Sequence, residues 1–202
     1  LGPRNKPIVT ATHIVQIAKF LTKKMNFKSQ MQLDTMVKEM EVAQNICDKE
    51  LNEFFSNVGI YKKILIDEKS NDNVTKYRER SGKDALILKP MPQVALFKAI
   101  HFLKNKMDMD LMSIYKALDK IDYSYPDKTN HQWLYWVISD AGTITTSGKV
   151  ESALSRMLVY FAAGEAKCKK LENGEEWLAE LFEDYNFLMG GKEKELPKPV
   201  LK

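Results

Sequence analysis

Residues 117–164 read ALDKIDYSYPDKTNHQWLYWVISDAGTITTSGKVESALSRMLVYFAAG, and this stretch decides the fold. The end of a helix runs into a proline-containing loop. The loop leads to residues 133–138, whose aromatic and β-branched side chains favour a strand. Residues 140–142 are typical of a turn, and residues 143–146 again favour a strand. The stretch therefore predicts one small antiparallel β-hairpin, at about residues 132–146, placed between helices.

Helical periodicity extends outward from this hairpin through most of the chain. The longest predicted helix starts near Ser29, with Gln32 completing a capping box, and stops before Gly59. Its apolar stripe repeats every three or four residues and consists of Leu33, Val37, Met40, Ala43, Cys47, Leu51, Phe54 and Val58. We expect this stripe to be buried within the monomer.

The second half of the chain repeats this pattern. Asp108 or Asp110, Ser147 or Gly148, and Asn173 with Glu176 are the predicted helix starts. The helix after residue 147 turns a set of apolar residues inward: Val150, Ala153, Leu154, Met157, Leu158 and Phe161. Two short apolar segments are less regular. Residues 60–66 fit a strand or a helix, and residues 85–88 favour a brief extended segment.

The predicted fold class is therefore mainly α: a helical domain with one small hairpin. We expect a single domain over residues 1–191, with two packed halves, 1–84 and 85–191, as the alternative. Residues 192–202, rich in lysine and proline, are predicted to form a flexible tail.

Composition indicates a globular protein. Of the 202 residues, 44% are apolar and 29% are charged, and no apolar run reaches the roughly 18 residues of a membrane span. The start, LGPRNKPIV, has no initiator methionine and no apolar leader, so we expect a processed form or part of a longer protein. Cys47 and Cys168 are isolated thiols, which favours a reducing compartment and predicts a cytoplasmic location without membrane partners.

Charge is unevenly distributed along the chain. The net charge is +4, but residues 1–101 carry 17 basic and 11 acidic side chains, whereas the remainder is slightly acidic. Lys76, Arg78 and Arg80 alternate in a charged segment that also contains Tyr77 and Lys83. An extended segment would present three cations on one side, and the tyrosine could stack on an unpaired base. These five residues are the predicted nucleic-acid contacts, and an ordinary solvated loop is the alternative.

Reaction chemistry has little support in the sequence. His13, His101 and His131 are far apart and neither cysteine has a second ligand at metal-site spacing, so no metal, cofactor or catalytic residue is predicted. The P-loop pattern fails around both SGK triplets, because the upstream glycine and the downstream hydroxyl residue are missing. Ser147-Gly148-Lys149, at a helix start, is kept as a phosphate-binding candidate, with a simple helix cap as the alternative.

The order of segments resembles a known family. LILKPMPQVALFKAIHFL, ALDKIDYSY, the tryptophan strand, GTITTSGK and MLVYFAAG, within about residues 86–164, are similar to the C-terminal part of DGQHR-domain proteins. That family includes Dnd-type proteins associated with DNA phosphorothioation. The Asp-Gly-Gln-His-Arg motif itself is absent here, so no family site residue can be carried over. The resemblance implies a bacterial or phage protein linked to DNA modification, defence or its regulation.

Two functions are expected from these observations, and an enzyme whose site is assembled only in the folded chain is a third alternative that ranks below both. The first is a non-enzymatic, DNA-associated helical module with DNA as its partner. The alternative is a protein–protein or oligomerisation module, whose partner is a second copy or the missing N-terminal region. In that alternative the long helix supplies the contact through Met31, Met36, Met40, Phe54 and Phe55, since methionine-rich faces adapt to partners.

Overall fold

Helices account for nearly all regular structure in the computed structural model, which describes residues 11–23, 33–67, 77, 85–124, 147–191 and 195–199. No strand occurs within those ranges, so the mainly α prediction is confirmed. The predicted hairpin, residues 132–146, lies outside them. The helices are α1 (Ala11–Leu21), α2 (Leu33–Asn57), α3 (Gly59–Lys62), α4 (Pro90–Lys106), α5 (Leu111–Leu118), α6 (Gly148–Ala163), α7 (Glu165–Cys168) and α8 (Gly174–Leu188).

The chain divides into two compact units, Leu1–Val74 and Thr75–Lys202. The predicted single domain over residues 1–191, its alternative halves and the flexible tail stay predictions.

The first unit contains α1, α2, α3 and a π-helical turn, Lys63–Asp67. At the end of α2, Phe54 is 2% exposed and lies against the fully buried Tyr61 of α3. Phe55 contacts both rings, with centroid distances of 5.1 Å to Phe54 and 5.4 Å to Tyr61. Residues 60–66, which the sequence left open between strand and helix, are therefore helical.

The second unit is organised around α4 and α6, which pack side by side with α5 and α8 against them. The predicted inward face of α6, Val150 to Phe161, is buried as expected. Lys98 of α4 and Glu151 of α6 form an ion pair of 2.5 Å. Phe102 of α4 stacks on Trp177 of α8 with ring centroids 6.2 Å apart. Apolar burial and these contacts between helices together stabilise the second unit.

Local signals fix several helix ends. Asp110 caps α5, and its carboxylate accepts hydrogen bonds from the Ser113 amide at 2.9 Å and from the Ser113 hydroxyl at 3.0 Å. Ser147 caps α6 by accepting from the Val150 amide at 3.2 Å. Asn173 is the N-cap residue of α8, as the sequence predicts, but its side chain makes no capping hydrogen bond. Gly164 separates α6 from α7 at φ 79°, which suits glycine.

Residues 85–88 are not extended, contrary to the sequence-based expectation. All four are buried in a turn closed by a 2.9 Å bond from the Lys89 amide to the Leu86 carbonyl. The Leu86 amide donates to the Tyr123 carbonyl, also at 2.9 Å. The apolar composition of the segment reflects its burial and does not require an extended backbone. Lys89, which follows it, is extended, and Pro90 then begins α4 at a first helical position.

None of the helices that the structure describes has the length and apolar character needed to cross a bilayer.

Candidate functional site

One apolar stripe on α2 is exposed to solvent at its N-terminal end and buried at its C-terminal end. Val37 is 45% exposed and Met40 is 56% exposed. Cys47 and Leu51 are half-buried, and Phe54 and Val58 are each 2% exposed. The expectation of full burial therefore fails for the N-terminal half of the stripe. Its C-terminal half is covered by Tyr61 and its neighbours.

The spacing along this stripe is that of a heptad repeat. Positions alternate by four and three residues, which keeps one seam facing a neighbouring helix. We call this set the α2 stripe: Val37, Met40, Gln44, Cys47, Leu51, Phe54 and Val58. Gln44 is its polar member and is exposed. A polar residue in such a seam fixes the register of a partner helix, because only one alignment satisfies its amide.

Acidic residues border the α2 stripe on both sides. Glu41 follows Met40 and Asp48 follows Cys47, which places both carboxylates on one flank of the stripe. Glu50 lies on the other flank. We call these three residues the acidic rim. Lys38 and Lys49, the two lysines of α2, fall on the opposite side of the helix at 100° per residue. Glu41 and Asp48 are exposed to solvent. Two exposed carboxylates, Glu41 and Asp48, therefore border the open half of the stripe on one flank.

Cys47 lies in the middle of the α2 stripe. Burial, followed by the neighbouring Asp48 carboxylate, raises the pKa of the thiol. A raised pKa lowers the thiolate fraction at neutral pH, so Cys47 is not an activated nucleophile. Its partial exposure nonetheless makes it a useful reporter of anything that covers the stripe.

Cys168 is inert for a stronger reason. It is fully buried at the end of α7, and burial together with Glu165 raises its pKa to about 11.

Within the described residues, no group of three or more His, Cys, Asp and Glu side chains could hold a metal ion. His101 is half-buried, and its Nδ1 accepts a hydrogen bond from Asn105 Nδ2 at 3.1 Å.

The predicted nucleic-acid residues fall mostly outside the described part of the chain. The described residues do not include Lys76, Arg78, Arg80 and Lys83. They do include Tyr77, which is half-buried and helical. That these residues form one nucleic-acid-binding surface stays a prediction.

The predicted phosphate-binding triplet lies at the start of α6, where Ser147 and Lys149 each have another role. Ser147 is the helix cap. Lys149 Nζ is 4.6 Å from the centre of the Phe187 ring and 3.9 Å from Asp184 Oδ1. Asp184 also accepts from Arg156. These contacts account for the triplet without a ligand, and phosphate binding stays a prediction.

A cleft of about 490 Å³ lies between α6, α7, α8 and residues 195–199. Glu165 and Lys169, which both line it, form an exposed ion pair of 2.8 Å. Burial, then Glu165, Cys168 and Glu195, raises the pKa of Tyr160, so the phenol stays protonated at neutral pH. The cleft offers a hydroxyl donor and mixed charges. The described residues that line it include no thiol, imidazole or alcohol nucleophile beyond that phenol.

Sequence reasoning missed a second basic feature, formed by residues far apart in the chain. Lys106, Lys167 and Lys170 line a hollow of about 420 Å³ together with Asp108 and Glu172. Lys106 ends α4 and Lys167 lies in the last turn of α7, where cations also stabilise the helix dipole. No local pattern connects Lys106 with Lys167 and Lys170, so only the folded chain could bring the three together.

The resemblance to DGQHR-domain proteins concerns residues 86–164, and residues 125–146 of that span are outside the described part. It stays a prediction from the quoted motifs. Comparison of the chain with protein-family models, with curated proteins and with solved structures gave no match.

Proposed function

We propose that this chain is a non-enzymatic helical module that binds a protein partner through the open half of the α2 stripe. The single observation that carries the proposal is the gradient from Met40, 56% exposed, to Phe54, 2% exposed, along one seam. Single apolar residues on a surface are ordinary. An ordered seam that is buried at one end and open at the other is typical of an interaction surface.

The energetics favour covering this seam. Removing apolar surface from water contributes about 25 cal/mol per Å². Val37 and Met40, with about half of their surface exposed, therefore retain a driving force that a partner helix would use. Met40 adds an adaptable side chain, which suits a surface that accepts a partner of variable shape.

The non-enzymatic part of the proposal rests on the two thiols. Both have a raised pKa, and Cys168 has no exposure to solvent. Catalytic cysteines instead have a lowered pKa and an electropositive setting.

A synthetic helix tests the proposal. The probe is about three heptads long, with leucine in its seam and glutamine on both flanks, so that its flanks are uncharged. Binding is measured as slower alkylation of Cys47. We expect protection in the wild type and loss of protection in Val37→Glu/Met40→Glu. The matched control, Val42→Glu/Ile46→Glu, changes exposed residues on the opposite side of α2 and should bind normally. Equal binding by both double variants would refute the proposed surface.

A second candidate function is DNA association. The basic residues from Lys76 to Lys83 and the family resemblance support it. The lysine-lined hollow of the second unit adds described cations, Lys106, Lys167 and Lys170, suited to phosphate oxygens.

Salt dependence tests this second candidate. Removal of one phosphate-binding cation should reduce the slope of log K against log salt by roughly one unit. We expect Lys76→Ala/Arg78→Ala/Arg80→Ala to flatten the slope in a mobility-shift titration. Lys106→Ala/Lys167→Ala/Lys170→Ala reports separately on the hollow. Unchanged slopes in both triple variants would remove DNA contact from the account.

A further inference from the structure

We infer that the partner of the α2 stripe is an amphipathic helix with basic flanks, rather than a second copy of this chain. The inference rests on the function proposed above and adds the chemistry of the partner. It follows from three features of α2: the spacing of its open seam, the charge that borders the seam, and the charge of the whole helix.

The seam specifies a helix as the occupant. Val37, Met40, Gln44 and Cys47 follow the alternation of four and three residues that accepts knobs from a facing helix. Their rise of about 1.5 Å per residue gives an open seam of about 15 Å. That length matches about three turns of a partner helix. An extended peptide, with its period of two, would place alternate side chains away from the seam.

The acidic residues beside the seam indicate which charge a partner helix should carry. Glu41 and Asp48 are exposed beside the open seam, and both lysines of α2 lie on its far side. In paired helices, charges at these flanking positions select partners of opposite sign. Lysine or arginine on the flank of the partner that faces Glu41 and Asp48 would therefore meet carboxylates along the open half of α2.

The same charges disfavour a second copy. Helix α2 carries six acidic residues and two lysines. Two α2 helices packed antiparallel through this seam would bring Glu41 of one copy against Asp48 of the other, and like charges at an interface lower affinity. A parallel pair would instead set these carboxylates opposite positions 36 and 43, which carry no charge and offer no attraction. A basic partner helix replaces that repulsion with attraction while covering the same apolar residues.

Three probes with one leucine seam separate these possibilities. Their flanks carry lysine, glutamine or glutamate, and each is titrated onto the intact chain at low salt while Cys47 alkylation is followed at about pH 8.5. Cys168 is the internal control, because a fully buried thiol should not react in the native chain. We expect the lysine probe to bind about two- to fivefold more tightly than the glutamine probe, and the glutamate probe to bind most weakly. The difference should shrink as salt rises.

A charge reversal completes the test. In Glu41→Lys/Asp48→Lys the order of the lysine and glutamate probes should invert, with circular dichroism confirming an unchanged helix content. Lys38→Glu/Lys49→Glu, on the far side of α2, should leave the order unchanged.

Each remaining outcome overturns a defined part of the account. Equal binding of the three probes would overturn the basic partner and leave the proposed function standing. Failure of all three would overturn both. Protection of Cys47 that grows with protein concentration alone, matched by a rising mass in light scattering, would identify a second copy as the occupant.

Discussion

Phe54 and Tyr61 pack with their ring centroids 5.2 Å apart, and this contact marks where the α2 stripe passes from open to buried. Both rings are almost inaccessible to solvent, whereas Met40, about four turns earlier on the same seam, is 56% exposed. One end of the stripe therefore contributes to the stability of the first unit, and the other is available for binding.

Separate substitutions should reveal these two roles. Phe54→Ala leaves a cavity beside Tyr61 and should cost about 3–5 kcal/mol in the free energy of unfolding. Met40→Ala, on the same seam, should change stability by less than about 0.5 kcal/mol, since surface substitutions rarely do more. Urea unfolding followed by far-UV circular dichroism measures both. Similar losses at the two positions would mean that the stripe is buried throughout.

Gly174 should not tolerate a side chain. A Cβ there would lie 2.4 Å from the Lys169 carbonyl oxygen and 2.5 Å from that of Cys168, and neither backbone atom can move aside easily. Gly174→Ala should therefore destabilise the second unit by about 1–3 kcal/mol or more. The control is Gly148→Ala in the first turn of α6, where nothing lies within 4 Å and stability should be unchanged or higher. Thermal unfolding compares the two, and equal midpoints would contradict the close approach.

Ser147 should act on stability as a helix cap. Ser147→Ala removes the acceptor for the Val150 amide and should cost about 1 kcal/mol, whereas Ser147→Asp should retain the cap. Inorganic phosphate distinguishes a binding role. If the predicted phosphate site exists, phosphate raises the unfolding temperature of the wild type but not of Lys149→Ala. Since Lys149 faces Phe187 and Asp184, we expect no such rise.

Asp110 should make the stability of α5 depend on pH. The Ser113 amide, and then the Ser113 hydroxyl, hold the pKa of this carboxyl below its usual value. The resulting stabilisation is present above the unfolded-state pKa of about 3.9 and is lost as the pH falls through the lower folded-state value. The stability difference between wild type and Asp110→Ala should therefore shrink below about pH 4. Asp110→Asn keeps an uncharged acceptor and should show no such acid dependence. A constant difference between wild type and Asp110→Ala would contradict the assignment.

The sequence was informative where structure is decided locally. The inward face from Val150 to Phe161 follows from helical periodicity, and the position of Ser147 before that face marks it as a helix start. Residues 85–88 depart from their predicted conformation because apolar composition reports burial and not backbone geometry. Asn173 marks the predicted helix start but makes no capping bond, because a residue type that favours caps need not have its side chain aimed at the helix.

The candidate sites depended on longer-range information. Periodicity identified the apolar side of α2, but it could not show that only the end near Phe54 would find a covering residue. Lys106 and Lys167 lie far apart in the chain, so their common hollow had no sequence signature. The hairpin and the basic segment from Lys76 to Lys83 stay predictions.

The most direct measurement of the central claim is the alkylation rate of the thiol introduced by Met40→Cys in a chain that also carries Cys47→Ser. If the open half of the α2 stripe faces solvent, this thiol should react at nearly the rate of the urea-unfolded chain, and the rate should not fall as protein concentration rises. A rate slowed a hundredfold or more in the dilute native chain would show that position 40 is covered within the monomer, and the proposed docking surface would then not exist.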